Sequence, residues 1–191
     1  MTLACGLDFG TSNSTFARID AQGQPHLLAL EDGKPTIPSV IFFGFEDDSI
    51  RFGRDAVAEY VTGADGRMMR SLKSVLGTGL IGDSTRVKAR SYGFLEILGI
   101  FIGELKDRAE LELGQGVDSV VCGRPVHFVD DDAAADAAAQ DELEGAVRAQ
   151  GFKHIAFQFE PIAAALDYER QVTGEKLALI VDLGGAPRTL P

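Results

Sequence analysis

The stretch GLDFGTSNS, residues 6–14, decides how the fold begins. Apolar residues around Asp8 predict a strand over Leu3–Phe9, and the run after the turn predicts a second strand over Ser14–Ile19. Between them, Gly10–Asn13 (Gly10, Thr11, Ser12 and Asn13) form a tight turn rich in hydroxyl and amide groups. Such a turn presents N–H groups to an anion, and the Asp8 carboxylate beside it suits a hydrated magnesium ion. An ordinary hairpin with polar turn residues fits the same pattern.

The segments that follow predict an α/β fold. His26–Leu30 continues the antiparallel start as a third strand, and a loop rich in glycine and proline follows it. Strands and helices later alternate, and right-handed crossovers would place those strands beside the first. We therefore predict a five-stranded mixed sheet centred on Leu3–Phe9, which is flanked by Ser14–Ile19 and Val117–Val126. The later elements are strand Val117–Val126, apolar enough for burial on both faces, helix Ala133–Gln150, strand Ile155–Phe159, a helix from Pro161 to about Gln171, and strand Lys176–Asp182.

Residues 38–113 interrupt this alternation and predict an inserted small α+β subdomain. Its longest element is a helix in which apolar residues recur at helical spacing. The predicted elements are a hairpin of Val40–Phe43 with Ser49–Phe52, helix Arg54–Val61, a short helix plus loop over 62–92, and helix Tyr92–Leu113.

Composition limits the function classes. The 191 residues are 45% apolar and carry a net charge of −11, which argues against nucleic acid because phosphate backbones need a basic face. A bound nucleotide is still compatible, because a few amides and a metal ion suffice to hold phosphates. Cys5 and Cys122 are predicted to be buried thiols in a reducing compartment. No export signal or membrane span is visible, so we expect a cytoplasmic protein that does not bind membranes.

Two further stretches carry candidate site residues. In FEPIAAAL, residues 159–166, Glu160 lies between a strand and a helix that begins with proline. Glu160 is also explained as an acidic residue stabilised by the dipole of that helix. In IVDLGG, residues 180–185, a second strand leads into Asp182, Gly184 and Gly185. Two strand–carboxylate–glycine elements in one chain suggest a duplicated phosphate site.

The order of these three stretches resembles the ATPase domain of DnaK-type heat-shock chaperones, in the actin and sugar-kinase superfamily. The resemblance extends over nearly the whole chain, up to Gly185. Phe9, Ser12, Asn13 and the GRPV stretch fit best the YegD-like branch of that family. The intermediate stretches that agree with the family are EDGKPTIPSVIFF (31–43), FGRDAVAEY (52–60), RSLKSVLG (70–77) and VCGRPVHF (121–128).

The resemblance implies a ribonuclease-H-like half of an actin-like ATPase that uses ATP/ADP and Mg²⁺. By position, Asp8 would organise magnesium, Gly10–Asn13 would hold the β- and γ-phosphates, and Lys73 and Glu160 would position the attacking water. Asp182 would be the second magnesium-site carboxylate, followed by the phosphate turn of Gly184 and Gly185. A solvated surface lysine is the alternative for Lys73. The implied partners are unfolded polypeptides and co-chaperones, in a stress response.

The resemblance also implies a division of the chain into subdomains. Residues 1–37 and 114–175 would form the core of the first lobe, 38–113 the inserted subdomain, and 176–191 the start of a second lobe. The family's second phosphate turn continues with a third glycine, a hydroxyl residue and an aspartate, whereas this chain has Ala186, Pro187 and Arg188. Proline removes an amide donor there. We therefore expect a chain shortened by a frameshift, an early stop or the choice of the expressed segment.

A first lobe alone is expected to bind nucleotide weakly or not at all and to hydrolyse ATP negligibly. An apolar strand without partners is expected to self-associate through residues 176–183, in preference to folding back. Two other functions stay open at this point: a sugar or acid kinase of the same superfamily, and a non-catalytic protein-interaction module.

Overall fold

The computed structural model describes residues 4–170, 172–174 and 177–180. Strands and helices follow the predicted order, with additional short elements between residues 36 and 93. The elements are β1 (Ala4–Phe9), β2 (Asn13–Ile19), β3 (Pro25–Leu27), β4 (Thr36–Pro38), β5 (Val40–Gly44), β6 (Ile50–Phe52), α1 (Gly53–Thr62), β7 (Gly66–Arg70), 3-10 helices Leu72–Val75 and Gly79–Gly82, β8 (Ser84–Val87), β9 (Arg90–Gly93), α2 (Phe94–Leu113), β10 (Ser119–Arg124), α3 (Ala133–Ala149), β11 (His154–Phe159) and α4 (Glu160–Glu169).

The main sheet is mixed and is centred on β1, as predicted. Its strand order is β11-β10-β1-β2-β3, with β1, β10 and β11 parallel and β2 and β3 antiparallel to their neighbours. The sheet has six strands rather than five, because β4 also pairs with the first half of β2. The sequence predicts a loop for the glycine- and proline-rich segment after the third strand, residues 32–38. Its last residues are drawn into the sheet because that half of β2 offers an open edge.

One face of the sheet forms the core with α2 and α3. The rings of Phe9 on β1 and Phe101 on α2 have centroids 6.0 Å apart, and Phe101 is fully buried. Burial alternates along β10: Val120 and Cys122 are buried, whereas Val121 is 41% exposed. The prediction that this strand is buried on both faces is therefore wrong, because its second face lines an open groove. Cys5 and Cys122 are buried free thiols, as predicted.

Residues 40–93 contain two small sheets of their own, β6-β5-β7 and β8-β9. The predicted hairpin of Val40–Phe43 with Ser49–Phe52 is present as β5 and β6, and the predicted helix Arg54–Val61 is present as α1. The prediction of a short helix and loop over 62–92 is wrong in part, because this stretch contains β7 and the β8–β9 hairpin besides two 3-10 helices. Pairing with β5 stabilises β7, an effect that local propensity does not report. Helix α2, which is predicted to belong to the inserted subdomain, packs on the main sheet. The division of the chain into subdomains stays a prediction.

The last helix, α4, begins at Glu160, so that Pro161 stands in its first turn. The predicted strand Lys176–Asp182 falls only partly on described residues. Residues 177–180 have no strand structure, and residues 176, 181 and 182 lie outside the described part of the chain. Among the described residues, no helix is long and apolar enough to cross a membrane.

Candidate functional site

The turn between β1 and β2 is tight and is held by its own backbone. The N–H of Gly10 donates to the carbonyl of Asn13 at 3.1 Å. A Cβ at Gly10 would lie 2.3 Å from that carbonyl oxygen, so the turn has no room for a side chain there. Ser12 and Asn13 are exposed and Thr11 is half-buried. The predicted phosphate-binding turn is therefore a rigid element with polar groups open to solvent.

A serine that sequence reasoning did not single out fixes this turn from its buried side. Ser39 Oγ donates to the carbonyl of Gly10 at 2.7 Å, and the Ser39 N–H donates to the carbonyl of Ser12 at 2.9 Å. The hydroxyl groups of Ser14 and Ser39 are 2.9 Å apart, and both residues are buried. The available signal was the stretch TIPS at 36–39, where a serine follows a proline-rich loop.

Lys73 and Glu160 meet although they come from distant parts of the chain. Lys73 Nζ lies 2.5 Å from Glu160 Oε1, and the two side chains are 10% and 25% exposed. A 3-10 helix, anchored by the buried Leu72 and Leu76, carries Lys73. Glu160 is placed by the junction of β11 and α4. The alternative in which Lys73 is a solvated surface lysine is wrong.

Glu160 and Asp8 line the same groove, which has a volume of about 400 Å³. Between them lies Gly123 of β10, where a Cβ would be 3.4 Å from Glu160 Cγ and 3.8 Å from Asp8 Oδ1. The missing side chain keeps the space between the two carboxylates open. The rest of the lining is mostly small and apolar, with Gly6, Leu7, Ala17, Val121, Ala163 and Ala164, and it includes the polar residues Thr15 and Gln158.

The third predicted element of the site falls outside the described residues. This applies to Asp182, Gly184 and Gly185. Within the described part of the chain, no group of three or more His, Cys, Asp or Glu side chains could hold a metal ion. The magnesium site at Asp8 and Asp182 therefore stays a prediction. The structure places Asp8 and Glu160 in one groove and pairs Lys73 with Glu160.

Comparison with known proteins gives one family match and, among the similar proteins, two chaperones. A family model described as Hsp70 protein matches residues 4–189. The chain is 30% identical over 183 residues to the chaperone protein DnaK of Mycoplasmopsis synoviae (strain 53), an alignment that covers 96% of this chain and 28% of that protein. It is 32% identical over 181 residues to the chaperone protein DnaK of Mycoplasmopsis agalactiae (strain NCTC 10123 / CIP 59.7 / PG2), with 94% of this chain and 28% of that protein covered.

These matches agree with the order of motifs in the sequence and with the mixed sheet of the structure. The chain spans 28% of the length of these curated relatives. The match to the Hsp70 model does not favour the sugar- or acid-kinase alternative. The chain belongs to the Hsp70 protein family.

Proposed function

We propose that this chain provides the phosphate-binding half of an Hsp70-type ATPase site. The observation that carries the proposal is the Lys73–Glu160 pair, which joins residues 87 positions apart at the groove that Asp8 lines. A partly buried lysine that meets a glutamate beside a second carboxylate suits phosphoryl transfer to water, in which positioning and charge neutralisation matter most.

The residues present fit ATP and Mg²⁺. The Gly10–Asn13 turn offers backbone and hydroxyl donors in a conformation that tolerates no side chain at Gly10, which suits close approach of the β- and γ-phosphates. Carboxylate oxygens are the ligands that Mg²⁺ prefers, so Asp8 would hold the hydrated ion together with Asp182. When bound, the ion would neutralise phosphate charge. Gly184 and Gly185 would supply the second phosphate turn.

Lys73 and Glu160 would act on the water that attacks the γ-phosphate. The Glu160 carboxylate accepts a hydrogen bond from that water and so orients its oxygen. The Lys73 ammonium, 2.5 Å from Glu160 Oε1, holds the carboxylate in place and adds positive charge near the phosphates. Both side chains are partly withdrawn from solvent, which strengthens these interactions.

For the protein to which this chain belongs, we propose ATP hydrolysis coupled to the binding of unfolded polypeptides. The support is the Hsp70 family match and the relatives named chaperone protein DnaK. Co-chaperones as partners, a role in the stress response, a cytoplasmic location and membership of the YegD-like branch belong to the same proposal. Self-association through residues 176–183 is part of it as well, although residues 177–180 have no strand structure.

Calorimetric titration of the chain with Mg·ATP tests whether this half of the ATPase site binds the nucleotide. We expect weak binding that Asp8→Asn reduces about tenfold or more, because the substitution removes a carboxylate from the hydrated ion. Asp107→Asn is the matched control, since it makes the same charge change on the exposed surface of α2. Equal binding by both variants would contradict the proposal. Heat that appears only when a sugar is added would support the kinase alternative, and no heat at all would support an interaction module.

A further inference from the structure

Helix α3 contacts both elements that carry the Lys73–Glu160 pair. One contact is direct and reaches the loop after Lys73. The other passes through Arg124 of β10 to Phe159, at the junction of β11 and α4 where Glu160 lies. We infer that Glu142 on α3 and Arg124 on β10, which is hydrogen-bonded to α3, are positioning residues that set the Lys73–Glu160 contact. This inference rests on the proposed function only for the catalytic role of the Lys73–Glu160 pair.

The first contact fixes the loop that carries Lys73. The N–H of Gly77 donates to Glu142 Oε2 on α3 at 2.9 Å. Gly77 has a φ of 68°, and a Cβ there would lie 2.6 Å from Val129 Cγ2 and 2.9 Å from Ala139 Cβ. The loop therefore touches α3 so closely that only glycine fits. Since Gly77 is four residues after Lys73, this contact determines where the lysine side chain starts.

The second contact fixes the start of α4 through Arg124, the last residue of β10. The guanidinium of Arg124 lies 5.1 Å from the ring centroid of Phe159, its register partner on β11, and Phe159 directly precedes Glu160. Arg124 Nη2 donates to Asp136 Oδ2 at 2.7 Å, and Nη1 donates to Gln140 Oε1 at 2.5 Å. Asp136 and Gln140 both belong to α3. The guanidinium thus ties Phe159 to α3.

The Arg124 contacts are numerous enough to make its position rigid. The residue is only 9% exposed, and its Nε donates to the Pro125 carbonyl at 3.1 Å. The guanidinium carbon also lies 5.1 Å from the ring centroid of Phe128. The hydrogen bond from Arg124, followed by that from the Phe128 N–H, holds the pKa of Asp136 below its ordinary value. A buried arginine with this many partners is costly to leave unpaired, so its geometry is well determined. Arg124 ends a mostly apolar strand at a buried position, where packing alone would not require a charge.

The experiment measures the acylation rate of Lys73 under native conditions by mass spectrometry, with Lys153 as internal standard because its side chain is 72% exposed. The Glu160→Gln variant, in which the ion pair is weakened, gives the reference value for the acylation rate of Lys73 when the contact is lost. We expect Arg124→Met and Glu142→Ala each to raise the Lys73 rate about fivefold relative to Lys153, as loss of a well-placed ion pair would. Glu142→Gln should keep the wild-type rate, because its amide oxygen still accepts from Gly77. Glu144→Ala, which removes one side of an exposed ion pair on α3, is the matched control. Arg148 is left in place because it donates to the carbonyl of Lys153, the internal standard.

The inference is overturned if folded Arg124→Met or folded Glu142→Ala labels Lys73 at the wild-type rate. It is also overturned if Glu160→Gln leaves that rate unchanged, since the contact would then not exist in solution. If Arg124→Met does not fold, Asp136→Asn replaces it with the same expectation, because it removes the charged partner of Arg124 on α3. No nucleotide is used, so failure of Mg·ATP binding would overturn the proposed function and leave this inference standing.

Discussion

Lys73 Nζ and Glu160 Oε1 are 2.5 Å apart. Helix α3 is hydrogen-bonded to the loop after Lys73, and it is also hydrogen-bonded to Arg124, which packs on the residue before Glu160. The pair joins the 3-10 helix Leu72–Val75 to the first residue of α4, beside the end of β11. Its energetic coupling is therefore the first property to measure. In a double-mutant cycle of Lys73→Met and Glu160→Gln, we expect a coupling of about 1 kcal/mol, because both side chains are partly buried. Urea denaturation of the four proteins gives the value, and additive effects would show that the pair is not formed in solution.

Gly77 should be far more sensitive to substitution than a glycine two positions away. Gly77→Ala places a Cβ 2.6 Å from Val129 Cγ2 on a residue with φ of 68°, and we expect a loss of about 2 kcal/mol in the free energy of unfolding. Gly79 has open space around its Cβ position, so Gly79→Ala should change stability by less than about 0.5 kcal/mol. Chemical denaturation compares the two variants. Similar losses in both would contradict the close packing of the loop on α3.

Glu31 provides the N-terminal cap of α1 from another part of the chain. Its Oε1 accepts from the Arg54 N–H at 2.8 Å, its Oε2 pairs with Arg54 Nη1, and the residue is 6% exposed. Glu31→Ala would leave a partly buried arginine and the start of the helix without this acceptor, at a cost of about 3 kcal/mol. Glu59→Ala, on the exposed surface of α1, is the control and should cost less than about 1 kcal/mol. Thermal or urea unfolding measures both, and equal effects would refute the capping role.

Cys122 should make the protein less stable in alkaline solution. Burial, with a smaller contribution from Glu144, raises the pKa of this thiol from 9.0 to about 12. The folded state therefore keeps the proton where the unfolded state releases it. The contribution to stability is complete below pH 9.0 and is lost as pH rises from there towards about 12. Urea denaturation across this range should show a smaller decline for Cys122→Ala than for the wild type. Identical slopes would mean that Cys122 ionises equally in both states.

The sequence was informative where local signals determine the structure. Apolar runs bounded by glycine, proline or aspartate predicted β1, β2, α3 and β11 because those boundaries are set by nearby residues. Strand β7 was missed because Met68 and Met69 stand between arginines, and only pairing with β5 makes them strand residues. The third strand was predicted too long, because after Leu27 the chain turns inward to bury Leu28 and Leu30.

The same distinction applies to the site. Asp8, Gly10–Asn13 and Glu160 lie beside strand ends that the sequence marks clearly, whereas Lys73 was found through resemblance alone. Ser39, Glu142 and Arg124 act through contacts with residues distant in sequence, and the sequence near each of them does not identify that distant partner. A polar residue at a buried position would be the remaining sign of such a contact, but burial can be recognised only once the core is known.

The central claim is that the Gly10–Asn13 turn binds phosphates, and amide NMR shifts of the ¹⁵N-labelled chain test it most directly. With Mg·ATP at up to about 10 mM, enough to detect millimolar binding, we predict that the largest shifts occur at Gly10, Thr11, Ser12 and Asn13. Gly10→Ala should abolish them, because its Cβ would lie 2.3 Å from the Asn13 carbonyl oxygen, whereas Gly145→Ala, in open space on α3, should retain them. Unshifted amides at 10–13, or equal shifts in both variants, would contradict the account.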